Sequence, residues 1–219
     1  MKKLASTLPN MVIVLTAVTL VAAGLLGVMQ QLTKDAIAQI EKQTLEDGIK
    51  KVMLAGGDGA LTVVSTDEVE SGGATYTVYT AEVNGSVIGK AVKTTVSAFS
   101  PGLTILTGFD NDGGILGYEI LATAETPGLG AKADTWFQKG QKGDIIGMNP
   151  GQQRLGVKKD GGNVDAITAS TITSRAFLRA INMEYDVIAG VQTEATTGAT
   201  VSEGAPQSSA VSAVLSDNE

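Results

Sequence analysis

The sequence contains no cysteine and no histidine. The first absence excludes a disulfide framework, a Cys-ligated iron–sulfur cluster, a thiolate zinc site and a cysteine nucleophile. The second excludes a Ser-His-Asp triad, an HExxH zinc site and a His-ligated haem. Any general acid or base has to be Asp, Glu, Lys or Tyr. Aromatic residues are scarce: one Trp, four Tyr and four Phe in 219 residues. Positive charge is in deficit, with 16 Lys and Arg against 23 Asp and Glu, a net charge of −7. Such a chain is a poor match to nucleic acid, whose phosphates call for clustered Lys and Arg. The length suits one domain of ordinary size with appendages.

What is present in excess is apolar sequence near the start. No charged residue occurs from Leu4 to Thr33. Within this stretch MVIVLTAVTLVAAGLLGVM (residues 11–29) would span about 28 Å as a helix, the thickness of a bilayer's hydrocarbon core. A buried core helix would show a polar stripe, and this segment has none. The reading is a transmembrane helix over residues 11–30. Lys2 and Lys3 precede it, and QQLTKDAIAQIEKQ, of mixed charge, follows. The positive-inside rule keeps residues 1–10 in the cytoplasm and sends residues 31–219 outward. A cleaved signal peptide is the competing reading, but it would have a shorter apolar core and an A-x-A-like site after it.

Leu32, Ile37, Ile40, Leu45, Ile49 and Val52/Met53 fall near helical spacing, which predicts an amphipathic helix over 32–54 continuing from the span. AGGDGA (55–60) breaks it. Residues 75–99 alternate and contain Asn84-Gly85, a type I′ hairpin signal. Residues 103–125 repeat the pattern around Asp112-Gly113-Gly114. Asp110 and Asp112 resemble the start of a calcium loop, but the later bidentate Glu is missing, so a turn is favoured. A short helix is expected within 125–138, a short strand at Gln153–Val157, and a helix at the end of 164–190 burying Phe177, Leu178, Ile181, Met183 and Val187. From Val191 the chain has four acids, no Lys or Arg and no aromatic residue, which predicts a disordered acidic tail over 191–219.

Two segments carry chemistry. Asp165-Ala166-Ile167-Thr168-Ala169-Ser170-Thr171-Ile172-Thr173-Ser174 is a hydroxyl-rich run at a helix start. Hydroxyls and backbone N–H groups there suit an anion such as phosphate; helices routinely use such residues as N-caps, and for this segment alone the N-cap is the favoured reading. Glu125-Thr126-Pro127-Gly128-Leu129-Gly130 is a tight loop whose glycines let backbone approach a ligand. Alone, it reads first as a strand-to-helix turn.

Anchor, hairpins, ETPGLG and D-x-x-T-x-x-T before a helix, in that order over residues 1–190, resemble the FMN-binding G subunit of the Rnf electron-transport complex. A close relative is the C subunit of the sodium-pumping NADH:quinone reductase. The resemblance implies an α+β fold: a transmembrane helix, then an FMN-binding domain with a twisted, mainly antiparallel sheet flanked by helices. It implies FMN held by a phosphoester to a threonine hydroxyl and attached by a flavin transferase that uses FAD as donor. The family pattern is Asp, two residues, then Ser/Thr-Gly-Ala-Thr. It maps Asp165 as the leading acid, Thr168 as the Ser/Thr and Thr171 as the acceptor, with Ala169, Ser170, Thr173 and Ser174 around it. Glu125, Thr126, Gly128, Leu129 and Gly130 map to the segment against the isoalloxazine ring. Two departures stand out. Gly and Ala are replaced by Ala169 and Ser170, which a tight backbone tolerates unless position 169 needs positive φ. Thr123 stands where many relatives have His.

The resemblance further implies a single-pass protein of the bacterial inner membrane with its domain outside. It would relay electrons among other redox subunits, in a complex coupling ferredoxin:NAD⁺ electron transfer to ion transport, with no catalytic side chain or metal of its own. Thr197-Gly198-Ala199-Thr200 in the tail matches the family core more closely, and Thr200 is the competing acceptor. A cofactor-free, pilin-like membrane module is the reading from another class. Such chains usually carry a Glu near the start of the apolar helix, and none occurs between Lys3 and Lys34.

Overall fold

The computed structural model describes residues 8–54 and 59–191. Helix α1 (Leu8–Leu54) runs 47 residues without a break, so the apolar span and the expected amphipathic helix are one rod. At 1.5 Å per residue it is about 70 Å long. Its first part is long and apolar enough to cross a membrane. The amphipathic reading holds only at the end. Leu32, Ile37 and Ile40 are exposed, whereas Gly48, Ile49, Val52 and Met53 are buried.

Five antiparallel strands follow in sequential order: β1 (Leu61–Ser71), β2 (Ala74–Val83), β3 (Ser86–Val96), β4 (Leu103–Asp110) and β5 (Ile115–Ala122). Asn84 and Gly85 form the β2–β3 turn with φ of 52° and 80°, both left-handed, as a type I′ turn requires. In the β4–β5 turn Oδ1 of Asp110 accepts the backbone N–H groups of Asp112 (2.9 Å) and Gly114 (2.7 Å), so this aspartate organises a turn. β1 lies outside the region read as strands. It is an edge strand exposed along nearly its whole length, so no apolar alternation marks it in the sequence.

The period of two sends alternate residues to opposite faces. Val78, Val92 and Ile105 pack under helix α3 (Thr171–Ile188). Their neighbours Tyr79, Ala91 and Leu106 pack against Ile49, Val52 and Met53 of α1. The domain therefore has three layers, with the sheet buried on both sides. α3 is fixed by Phe177, whose ring stacks on Phe137 at 4.5 Å and meets Tyr118 edge-on at 4.9 Å. Phe177, Leu178 and Ile181 are buried as expected, while Met183 and Val187 are partly buried against the same core.

The short helix expected within 125–138 is α2 (Ala133–Trp136), after a 3₁₀ turn at Gly130–Lys132. The strand expected at Gln153–Val157 does not form. That segment contributes one isolated parallel bridge, Val157 to Val164. Asn182 instead holds it to α3, accepting the Leu155 N–H at 3.0 Å and donating to the Leu155 carbonyl at 2.8 Å. The acidic tail and Thr200 lie outside the described residues.

Between α3 and the sheet the core is not wholly apolar. Glu184, Tyr76 and Thr107 are each 0 % exposed. Burial pushes the Glu184 carboxyl well above its usual range; the Thr107 hydroxyl beside it pulls the other way without meeting hydrogen-bond geometry. The Tyr76 hydroxyl also lacks a partner among the described residues. Burial first, then the nearby Glu184, pushes it up to about 12.

Candidate functional site

The two chemical segments are far apart in sequence and meet in space. Glu125, Thr126, Leu129 and Gly130 line one side of a cleft of about 340 Å³; Ala169, Ser170, Thr171 and Thr173 line the other. That volume lies at the small end of the range for small-molecule sites, ~300–1,000 Å³. Phe99 and Ile172 complete the lining, and neither carries a signal of its own in the sequence. Ile172 sits inside the hydroxyl-rich run; Phe99 belongs to no motif and is recruited by the β3–β4 connection. Phe99, Leu129 and Ile172 are all exposed, which gives the cleft an apolar rim.

Glu125 ties the walls together. Its Oε2 accepts the Thr173 hydroxyl at 2.7 Å and its Oε1 accepts the Ser100 N–H at 2.6 Å. Its own N–H donates to the Thr123 hydroxyl at 3.1 Å, so Thr123 supports the loop. A Cβ on Gly130 would run into the Glu125 carboxylate and the Thr173 hydroxyl, so only glycine fits there.

The hydroxyl-rich run does not serve as an N-cap. Ser170 occupies the N-cap position, and no side chain caps α3. The first-turn N–H groups thus lack a capping partner, and the residues that carry them line the cleft. Ala169 holds φ of 63°, the left-handed conformation that glycine adopts without cost. Position 169 does need positive φ, and here alanine supplies it under strain.

Gly128, Asp165, Thr168 and Ser174 do not line the cleft. Ser174 stands behind it, accepting the Ile167 N–H at 2.9 Å and donating to the Ser170 carbonyl at 3.0 Å. Thr168 is exposed. The Asp165 carboxylate pairs with Lys158 at 2.7 Å, and its carbonyl accepts the Trp136 indole N–H at 2.8 Å. Beside this, Arg175 grips Asp160 through two bonds of 2.6 and 2.7 Å and holds that carboxyl below its usual range.

An apolar rim suits a flat ring system. Free hydroxyls above an uncapped helix start suit a phosphate. Both sit on a domain carried by a helix able to cross a membrane, and the arrangement defines an anchored domain for a ring-bearing phosphate cofactor. Residues 99–186 match the FMN-binding domain family, a span containing every residue that lines the cleft.

Among similar proteins is the G subunit of the Na⁺-translocating ferredoxin:NAD⁺ oxidoreductase complex of Acetobacterium woodii. It is 31% identical over 189 residues, covering 80% of this chain and 88% of the relative. The G subunit of the ion-translocating oxidoreductase complex of Yersinia pestis is 32% identical over 169 residues, with 73% and 80% covered. Its counterpart from Vibrio parahaemolyticus is 33% identical over 168 residues, with 72% and 78% covered. The chain belongs to this G-subunit family and is a membrane-anchored flavoprotein of that type.

Proposed function

We propose that this chain carries FMN covalently on Thr171 and relays electrons in an Rnf-type complex that couples ferredoxin:NAD⁺ electron transfer to ion translocation. The observation that supports it most directly is the meeting of the ETPGLG loop and the Thr171 helix start at one cleft. The flavin would supply the redox chemistry. Thr171 would anchor the phosphate, with the first-turn N–H groups of α3 stabilising its charge. Phe99, Leu129 and Ile172 would exclude water from the ring. No side chain need act as acid, base or nucleophile in the relay.

Attachment needs a flavin transferase. The Thr171 oxygen would form a bond to the flavin-side phosphorus of FAD as the pyrophosphate bond breaks. AMP would leave, and the hydroxyl proton would pass to the leaving phosphate. The reading also puts the domain on the outer face of the bacterial inner membrane, following the lysines ahead of the span. Covalent linkage keeps the cofactor where free FMN is scarce.

The test is co-expression with an active flavin transferase, followed by a denaturing gel viewed for flavin fluorescence. The full chain should fluoresce and Thr171→Ala should not. Fluorescence surviving in Thr171→Ala but lost in Thr200→Ala would move the linkage to the tail. A dark wild-type band, with the transferase proven on a control substrate, would remove the covalent reading.

A further inference from the structure

Glu125 is a charged residue buried in the wall of the cleft, 6 % exposed. Among the described residues no Lys or Arg forms an ion pair with it. Its two oxygens are satisfied by dipoles alone, the Ser100 N–H and the Thr173 O–H. Gly130 has no Cβ to displace Oε2, so the carboxylate lies close against its backbone. The carboxylate is therefore held in place by two hydrogen bonds and set against the region a flavin ring would fill.

We infer that Glu125 sets the reduction potential of the flavin in this cleft, an inference that rests on the FMN reading above. Reduction adds two electrons to the flavin and, in its anionic reduced form, one proton from solvent, so the ring gains one net negative charge. A fixed negative charge buried in the cleft wall opposes that added charge, because screening is weaker there than in bulk water. The potential is accordingly held below its value in the same cleft with a neutral side chain. The charge favours the oxidised cofactor and makes the reduced one a stronger donor to whatever accepts its electrons. Glu125 acts here through its field, distinct from its role in joining the cleft walls.

The experiment is a dithionite titration of the full-length, detergent-solubilised chain matured with a flavin transferase. The midpoint is read from flavin absorbance on whatever fraction carries flavin. Glu125→Gln keeps the size and both hydrogen bonds, with the amide donating to Thr173, and removes the charge. Its midpoint should shift positive. Glu125→Asp keeps the charge and should return the midpoint toward wild type, although it disturbs packing more. A Gln variant with an unchanged or negative-shifted midpoint overturns the inference. If the Gln variant takes up no flavin, Thr173→Val decides: it removes one of two donors that spread the charge, so its midpoint should shift negative, and an unchanged value overturns the inference. Wild type without flavin would overturn the FMN reading itself.

Discussion

The indole N–H of Trp136 donates to the backbone carbonyl of Asp165 at 2.8 Å, joining α2 to the segment that leads into Thr171. The only tryptophan in the chain thus braces the backbone just ahead of the hydroxyl-rich run. Trp136→Phe keeps an aromatic ring but loses the donor and part of the indole's packing. It should cost about 1 kcal/mol in chemical denaturation. It should also slow flavin incorporation by the transferase more than a distant substitution of equal cost, such as one in β1.

Ala169→Gly should stabilise the domain. The left-handed conformation costs an alanine roughly 1–2 kcal/mol, against roughly 0.5–1 kcal/mol of added chain entropy for glycine. A net gain of up to about 1.5 kcal/mol is expected, seen as a higher thermal midpoint of the apoprotein. An unchanged or lower midpoint would show that the strain at 169 is absorbed elsewhere.

Gly130→Ala should do the reverse. The methyl group would push on the Glu125 carboxylate and the Thr173 hydroxyl at once. Overpacking of this kind costs about 1–3 kcal/mol. Because the push opens the cleft walls, the fluorescent band should weaken even at temperatures where circular dichroism reports a folded domain.

Glu184 gives the fold a pH dependence whose sign follows from its raised folded-state value. The folded protein holds that proton more tightly than the unfolded chain. The stability this contributes is complete below the ordinary carboxyl range and is lost progressively as pH rises toward the folded value. Thermal midpoints measured from pH 5 to pH 8 should fall more steeply for wild type than for Glu184→Gln, and Gln should be the more stable at pH 8. Parallel profiles would mean that Glu184 is not held protonated.

Tyr76→Phe removes a buried hydroxyl that has no partner. The ring is retained, so the change should be neutral or stabilising by up to about 1 kcal/mol in denaturant unfolding. A clear loss would reveal a bond from that hydroxyl to ordered water.

The parts of the fold that are legible in the sequence are those where burial writes a period. The apolar span, both central hairpins and the buried face of α3 announce themselves because water is excluded from them. β1 escapes such a reading because it buries almost nothing, so LTVVSTDEVES carries no apolar stripe. Gln153–Val157 alternates like a strand, yet its backbone groups are claimed by Asn182 and by turns. In the site, motif residues can be named one by one, but not their meeting across the cleft. Phe99 is invisible because an exposed Phe in a loop has no signature until the fold sets it beside Leu129. The conformation at Ala169 is posed by the sequence as a condition, and only backbone geometry answers it.

α1 leaves the apolar segment and enters the domain without a break, and from Gln30 to Asp47 almost none of its surface is covered by the other described residues. That stretch of about 27 Å behaves as a drive shaft. Its length fixes how high the domain stands, and its helical phase fixes which way the cleft faces. Inserting one residue would turn the cleft by about 100° while raising it only about 1.5 Å. Seven residues would raise it about 10 Å and nearly restore its heading. Comparing those two insertions separates distance from direction as the condition for electron exchange with a neighbouring redox protein.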